Sequence, residues 1–193
     1  MSEILTIDTT SGIFKEEKAD PLKLLDENHP MLKMPIPDYQ GILPSTPMDN
    51  LIRRMKVTMK LYGGMGLSAN QCGVFHRVFI IGTEDFILAC INPKVTAISD
   101  ETVKDNEGCL TFPGLCLKIE RPKWIEVEFM DEDGQIKQAK LEGLTARCFL
   151  HELDHLNGVC FTQHTGSVSL AMARKKQEKI IKTAKRKNNG LFV

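Results

Sequence analysis

His151-Glu152-Leu153-Asp154-His155 sets two imidazoles four residues apart with a carboxylate between them. On a helix, residues at that separation share a face. The two rings can then close on one metal ion while Glu152 stays in reach of a water held there. A metal lowers the pKa of such a water towards about 7, and the carboxylate can take its proton and return it to a leaving amine. Two of the five histidines of the chain fall in this one pentapeptide, which favours a metal over two unrelated surface rings. Two ligands do not make a catalytic site; a third is needed, with a position left open. His164 is the only histidine downstream, and its spacing does not suit the longer zinc-peptidase motifs. The third ligand is therefore sought upstream.

Two upstream segments offer suitable groups. Glu107-Gly108-Cys109-Leu110-Thr111 sets a cysteine beside a glycine, where backbone can approach a ligand closely. A thiolate there would be a soft ligand, although the pentapeptide alone reads more readily as a buried thiol in a turn. Gly64-Met65-Gly66-Leu67-Ser68-Ala69-Asn70-Gln71 is a run of small residues after a helix. It has neither the lysine of a phosphate loop nor the GxGxxG spacing, so nucleotide binding is rejected.

Positioning these groups requires defined elements. Pro35, Pro37 and Pro44 mark a loop, and Thr46-Pro47-Met48-Asp49 predicts a helix with Thr46 as N-cap and Pro47 at its first position. Leu51, Met55, Met59 and Leu61 form its apolar stripe, ended by Gly63-Gly64. Arg77–Ile81 and Phe86–Ile91 read as buried strands, and Trp124–Phe129 with Gln135–Leu141 as a hairpin about Asp131–Gly134. A second helix is predicted from Thr145 to Asn157 and a third from Leu170 to Lys187, the latter with Leu170, Ile180, Ile181 and Ala184 against the domain. The fold class is α+β, with residues 1–20 as an N-terminal extension, 21–166 as the catalytic domain and 167–193 as a basic C-terminal helix and tail.

Composition limits the alternatives. With 193 residues, 42% hydrophobic and 26% charged, the chain is globular in character. No stretch reaches the roughly 18 apolar residues of a spanning helix. Balanced charge, 25 basic against 25 acidic residues, gives no global pull towards DNA or anionic membranes. The first residues lack a secretory signal pattern, and six cysteines without a CxxC pair suit free thiols in a reducing cytoplasm.

In the order GMGLSANQ, EGCLT, HELDH, with these gaps, the chain resembles the peptide deformylase family. The likeness runs on through FPG after EGCLT, DEDG at the hairpin turn and LNGVCF after HELDH, over roughly residues 21–164. It implies antiparallel β-sheets packed around a central HExxH helix. It also implies that Cys109, His151 and His155 bind one divalent metal, Fe²⁺ in the cell, with Zn²⁺, Ni²⁺ or Co²⁺ able to replace it. Glu152 would act as general base and then acid; Gln71 and the backbone N–H of Leu110 would stabilise the oxyanion. A formyl-methionyl nascent peptide would pair with backbone at Gly64, Met65, Gly66 and Gly108, its methionine side chain lying against Leu144 and Cys148. The product would be formate and a free amine. The chain departs from the usual pattern at Ser68, where alanine is common, at Thr111, where serine is common, at Leu150, where glutamine is common, and at Leu115-Cys116, where a basic residue often stands.

Two other readings remain open at this point: an HExxH endopeptidase, and a ribosome-associated module with a structural metal. From Arg174 to Lys187 the chain carries eight basic residues (Arg174, Lys175, Lys176, Lys179, Lys182, Lys185, Arg186 and Lys187) against Glu178 alone. A basic C-terminal helix in this position resembles the ribosome-docking helix of bacterial members. It is equally an ordinary solvated amphipathic helix.

Overall fold

A computed structural model describes residues 19–83 and 86–187. Nearly all of the 1–20 extension lies outside the described residues. In chain order the elements are α1 (Thr46–Leu61), β1 (Gly66–Ser68), β2 (Val78–Gly82), β3 (Ile87–Ile98), β4 (Thr102–Cys109), β5 (Phe112–Pro122), β6 (Trp124–Met130), β7 (Ile136–Glu142), α2 (Gly143–Leu156) and α3 (Ser167–Lys187), with short 3₁₀ turns at Pro30–Lys33, Ala69–Cys72 and Phe161–His164.

Five strands form one antiparallel sheet in the order β1-β2-β3-β6-β7, and β4-β5 form a separate two-stranded sheet. Strand β2 is buried on both faces, which explains its unbroken apolar run. Val78 and Ile80 face Met48, Ile52, Met55 and Met59 of α1, while Phe79 and Ile81 face Phe149 of α2 and Ile125, Val127 and Phe129 of β6. The Phe79 and Phe149 rings meet edge to face at 4.9 Å. Each such fully buried side chain contributes roughly 1.5–3 kcal/mol. The central helix α2 thus rests on the large sheet through Phe149 and meets the small sheet through Arg147, whose Nη1 donates to the Ile119 carbonyl at 2.8 Å.

Several boundaries differ from expectation. Ser45, not Thr46, caps α1: its Oγ accepts the Met48 N–H at 3.4 Å, and Thr46 and Pro47 occupy the first two helical positions. The buried stripe of α1 runs Met48, Ile52, Met55, Met59; Leu61 falls off it and is exposed. Strand β3 runs on to Ile98, and α2 and α3 begin earlier than expected. Helix α3 seats Leu170 and Ala173 on the small-sheet core and buries Gln177, whereas Ile180 is 45% exposed, because the inward stripe is completed by a glutamine. All six cysteines are unpaired.

Candidate active site between the two sheets

The small sheet is not expected from the sequence, and it carries Cys109, the third member of a group that could hold a metal. In β4–β5, Gly108 pairs with Cys116 but Cys109 pairs with Phe112. Pro113, Gly114 and Leu115 are therefore extruded as a bulge, which bends the strand and re-aims Cys109 towards α2. Gly114 has φ of +74°, a conformation that a side chain would strain.

Helix α2 presents His151 and His155 on one face, their ring centroids 5.0 Å apart. Cys109 Sγ lies 3.1 Å from His155 Nε2, and the ligand atoms of Cys109, His151 and His155 all lie within 4.8 Å of one another. The donor set suits one divalent ion: a thiolate and two imidazoles leave a fourth position for water. His151 is oriented for this, because its Nδ1 donates to Glu107 Oε2 at 3.0 Å and so leaves Nε2 for a metal. Burial opposes charge on His151, but hydrogen bonds to Cys109 and Glu107 and the Glu152 carboxylate raise it to about 10. Burial and the His151 charge push His155 well below its ordinary value.

Glu107 anchors a buried charge network. Arg121 grips it with Nε–Oε1 at 2.9 Å and Nη2–Oε2 at 3.1 Å, and Arg147 Nη1 adds 2.8 Å to Oε1. Arg121 Nη1 also reaches Asp154 Oδ2 at 2.7 Å, which in turn binds His164 Nε2 at 2.7 Å. Burial would raise the Glu107 carboxyl, but the hydrogen bonds from His151 and Arg121 and their charges hold it down to about 2. Two carboxylates and two guanidinium groups therefore pair between α2, which carries Arg147 and Asp154, and the small sheet, which carries Glu107 and Arg121. Sequence reasoning missed Arg121, Arg147 and Asp154 in this role, since charged residues are ordinarily read as surface. The only signal was the Asp inside HELDH itself.

Glu152 is buried, and burial pushes its carboxyl up to about 7 against the opposing His151 charge and a hydrogen bond from Ser68. Gln71 sits in the 3₁₀ turn after β1. Its Oε1 accepts the Ser68 N–H at 2.8 Å, and its Nε2 donates to Thr111 Oγ at 2.9 Å and to Cys109 Sγ at 3.3 Å. Asn70 ties this turn to α2 through Nδ2 and the His155 carbonyl, 2.6 Å apart. Gly66 is required by proximity: a Cβ there would run into Glu152 Oε1 and lie 2.9 Å from Cys148 Sγ.

A cleft of about 590 Å³ is lined by Gly64, Met65, Gly66, Gln71, Gly108, Cys109, Leu110, Leu144, Cys148, His151 and Glu152. Of the residues given catalytic, metal-binding or substrate-binding roles in the sequence analysis, only His155 does not line it; that ring is fully buried. Cys148 Sγ donates to the Met65 carbonyl at 3.2 Å. Leu144 is largely exposed at the mouth. The bulge residues Pro113, Gly114 and Leu115, together with Tyr62, complete the wall.

An HExxH helix joined by a strand-borne cysteine, in a cleft between two antiparallel sheets, fits a metal-dependent hydrolase. The polypeptide deformylase family model matches residues 21–171. A peptide deformylase from Thermotoga sp. (strain RQ2) is 41% identical over 141 residues, covering 72% of this chain and 86% of the relative. One from Wolbachia pipientis wMel is 37% identical over 147 residues, covering 68% and 81%. The crystal structure of a Synechococcus elongatus peptide deformylase in complex with actinonin superposes with a TM-score of 0.78 at 33% identity, covering 85% of this chain and 91% of that one. The chain belongs to the peptide deformylase family. Its reaction is hydrolysis of the formyl group at the N-terminus of formylated nascent peptides. Among the described residues, no helix is long and apolar enough to cross a membrane.

Proposed function

We propose that Cys109, His151 and His155 hold one divalent ion, Fe²⁺ in the cell, and that Glu152, Gln71 and the Leu110 N–H carry out the chemistry beside it. The observation that supports this most directly is the convergence of three segments distant in sequence: Gln71 Nε2 lies 3.3 Å from Cys109 Sγ, in a cleft that Glu152 also lines. A divalent ion in such a set polarises a carbonyl and acidifies water. The assignment of iron rests on the family likeness; the ligand chemistry alone suits zinc as well.

Glu152 takes the proton of the attacking water as the C–O bond forms at the formyl carbon. It then hands that proton to the departing nitrogen as the C–N bond breaks, leaving formate and a free amine. A buried carboxyl held near 7 is matched to both transfers at neutral pH. Gln71 donates from Nε2 to the developing oxyanion, exchanging one of its present acceptors for the substrate, and the Leu110 N–H adds a second donor. The peptide lies between two strand edges. Both β1, at the margin of the large sheet, and β4, paired only with β5, have an open edge among the described residues. Gly64, Met65, Gly66 and Gly108 on these edges offer backbone pairing, and Leu144 and Cys148 receive the methionine side chain.

Glu152→Gln tests this reading. The variant retains one equivalent of metal and its fold but loses turnover of a formyl-Met-Ala-Ser peptide by roughly 10²–10⁴-fold. Undiminished formate release by the metal-loaded variant would sink the proton role. A closed structural site would use four protein ligands, and three such residues are grouped here.

We further propose that the enzyme works in the cytoplasm and that the outer face of α3 contacts ribosomal RNA. Lys175, Lys176, Lys179, Lys182 and Arg186 are all exposed on it, which supports a phosphate contact. Reversing Lys175, Lys176, Lys179 and Lys182 to glutamate should abolish salt-sensitive ribosome binding in sedimentation while peptide deformylation continues. Unchanged binding would remove the proposal.

A further inference from the structure

Beyond its basic outer face, α3 has an inner face that touches the cleft wall. Gln177 is a buried polar residue, 6% exposed. Its Nε2 donates to the Pro113 carbonyl at 2.9 Å, inside the β5 bulge. Its Oε1 accepts from Arg174 Nη1 at 2.9 Å. That same Nη1 pairs with both carboxylate oxygens of Glu27, at 3.0 and 2.9 Å, and the guanidinium lies 5.6 Å over the Phe112 ring. Glu27 belongs to the segment before α1, in which the Leu25 N–H donates to the Gln71 carbonyl at 2.8 Å.

These contacts converge on one hydrogen bond. Gln71 Nε2 to Thr111 Oγ, 2.9 Å, spans the cleft floor from the β1 turn to the β4–β5 turn. On the Gln71 side, the backbone is held by the Leu25 segment, which Arg174 fastens through Glu27. On the Thr111 side, the following residues Phe112 and Pro113 are fastened by Arg174 and Gln177 directly. Two adjacent residues of one helix face thus anchor both ends. Both also lie beyond residues 21–171, the stretch matched by the family model.

We propose that Arg174 and Gln177 are positioning residues for deformylation: through Glu27 and Pro113 they set the separation of Gln71 from Cys109 and Leu110, and so the aim of the oxyanion donors. This inference rests on the role given above to Gln71. A donor displaced by a fraction of an ångström loses rate while peptide binding along the strand edges is retained.

The test uses the full-length, metal-loaded enzyme. Gln177→Leu and Arg174→Gln each lower kcat on a formyl-Met peptide about five- to tenfold, with KM within twofold, while Glu178→Gln at an exposed position of the same helix changes neither. In a Gln71→Ala background the Gln177→Leu effect shrinks below twofold, because both act through one group. Glu27→Arg combined with Arg174→Glu recovers most of what Arg174→Glu alone loses. Independently of turnover, the Gln71 side-chain amide resonance of the metal-free protein moves in Gln177→Leu. Should Gln177→Leu fail to fold, the half-buried Arg174→Gln and the charge-swapped pair carry the test. Unchanged kcat in folded variants, or losses that multiply fully with Gln71→Ala, overturns the inference. If Gln71→Ala itself keeps full turnover, the role of Gln71 falls and the brace with it; if only the brace variants keep turnover, only the brace falls.

Discussion

Ser68 Oγ lies 2.8 Å from Glu152 Oε2 and 3.0 Å from the Glu152 backbone carbonyl. The single hydroxyl proton goes to the carboxylate, the nearer acceptor, with the carbonyl of the same residue close beside it. A family member with alanine at this place lacks that contact, so the serine here fixes the rotamer of the group assigned the proton transfers. Ser68→Ala frees the carboxylate and removes a hydrogen bond to a charged group, worth roughly 1.5–3 kcal/mol. The expected outcome in steady-state kinetics is a three- to tenfold fall in kcat with KM within twofold. An unchanged kcat would show that burial alone orients Glu152.

Gly66 tests the same carboxylate from the opposite side. The Cβ of Gly66→Ala would clash with Glu152 Oε1 and press on Cys148 Sγ at 2.9 Å. Repacking costs about 1–3 kcal/mol, and the displaced carboxylate lowers kcat/KM on the order of a hundredfold. Chemical unfolding beside initial rates separates the two effects. A variant with full activity would mean that the cleft is far more compliant than its packing indicates.

The Glu107 network predicts a defined acid limb. Glu107 titrates at about 2 in the folded metal-free chain, below its ordinary 4.5. A depressed carboxyl contributes stability that is fully present above pH 4.5 and is lost as pH falls through 2. Glu107→Gln should therefore be less stable than wild type by on the order of 3 kcal/mol at pH 7, the gap closing between pH 4.5 and 2. Urea unfolding of both metal-free proteins across that range measures it. A gap independent of pH would place the cost of Glu107→Gln in packing rather than in charge.

Thiol reactivity follows burial. Cys116 is exposed, Cys90 and Cys160 are buried, and burial pushes the Cys72 thiol up to about 12. Reactivity belongs to the thiolate, so alkylation of the native, metal-loaded protein at pH 8 should label Cys116 first and leave turnover intact. Peptide mapping that found Cys72 labelled ahead of it would contradict the packing described.

Much of this site can be read locally. The i, i+4 spacing of His151 and His155 and the helical pattern around them specify α2 and the face that carries both rings without reference to the remainder. The small sheet shows the opposite case. Thr102–Cys109 is mostly polar and exposed, so no alternation marks it as a strand; it exists because β5 pairs with it. Strand β5 does alternate, burying Leu115, Leu117, Ile119 and Arg121, but FPG at its start reads as a loop. The Glu107–Arg121–Asp154 network and the Gln177 contact are invisible for a different reason. Each unites side chains from separate elements, and nothing near any one of them in sequence specifies the partner.

The Glu27–Arg174 pair joins positions 147 residues apart. Closing so large a segment carries more chain entropy than any helix turn or hairpin, and contacts of high sequence separation slow folding. This closure should therefore be among the last events on the folding path. In refolding from urea, far-UV circular dichroism is expected to recover in an earlier phase than the capacity to deformylate, with Arg174→Gln abolishing the lag between them. If the two signals recover together in the unaltered protein, closure is not the late step. An enzyme whose cleft is braced by so distant a contact would reach full turnover only once its fold is otherwise finished.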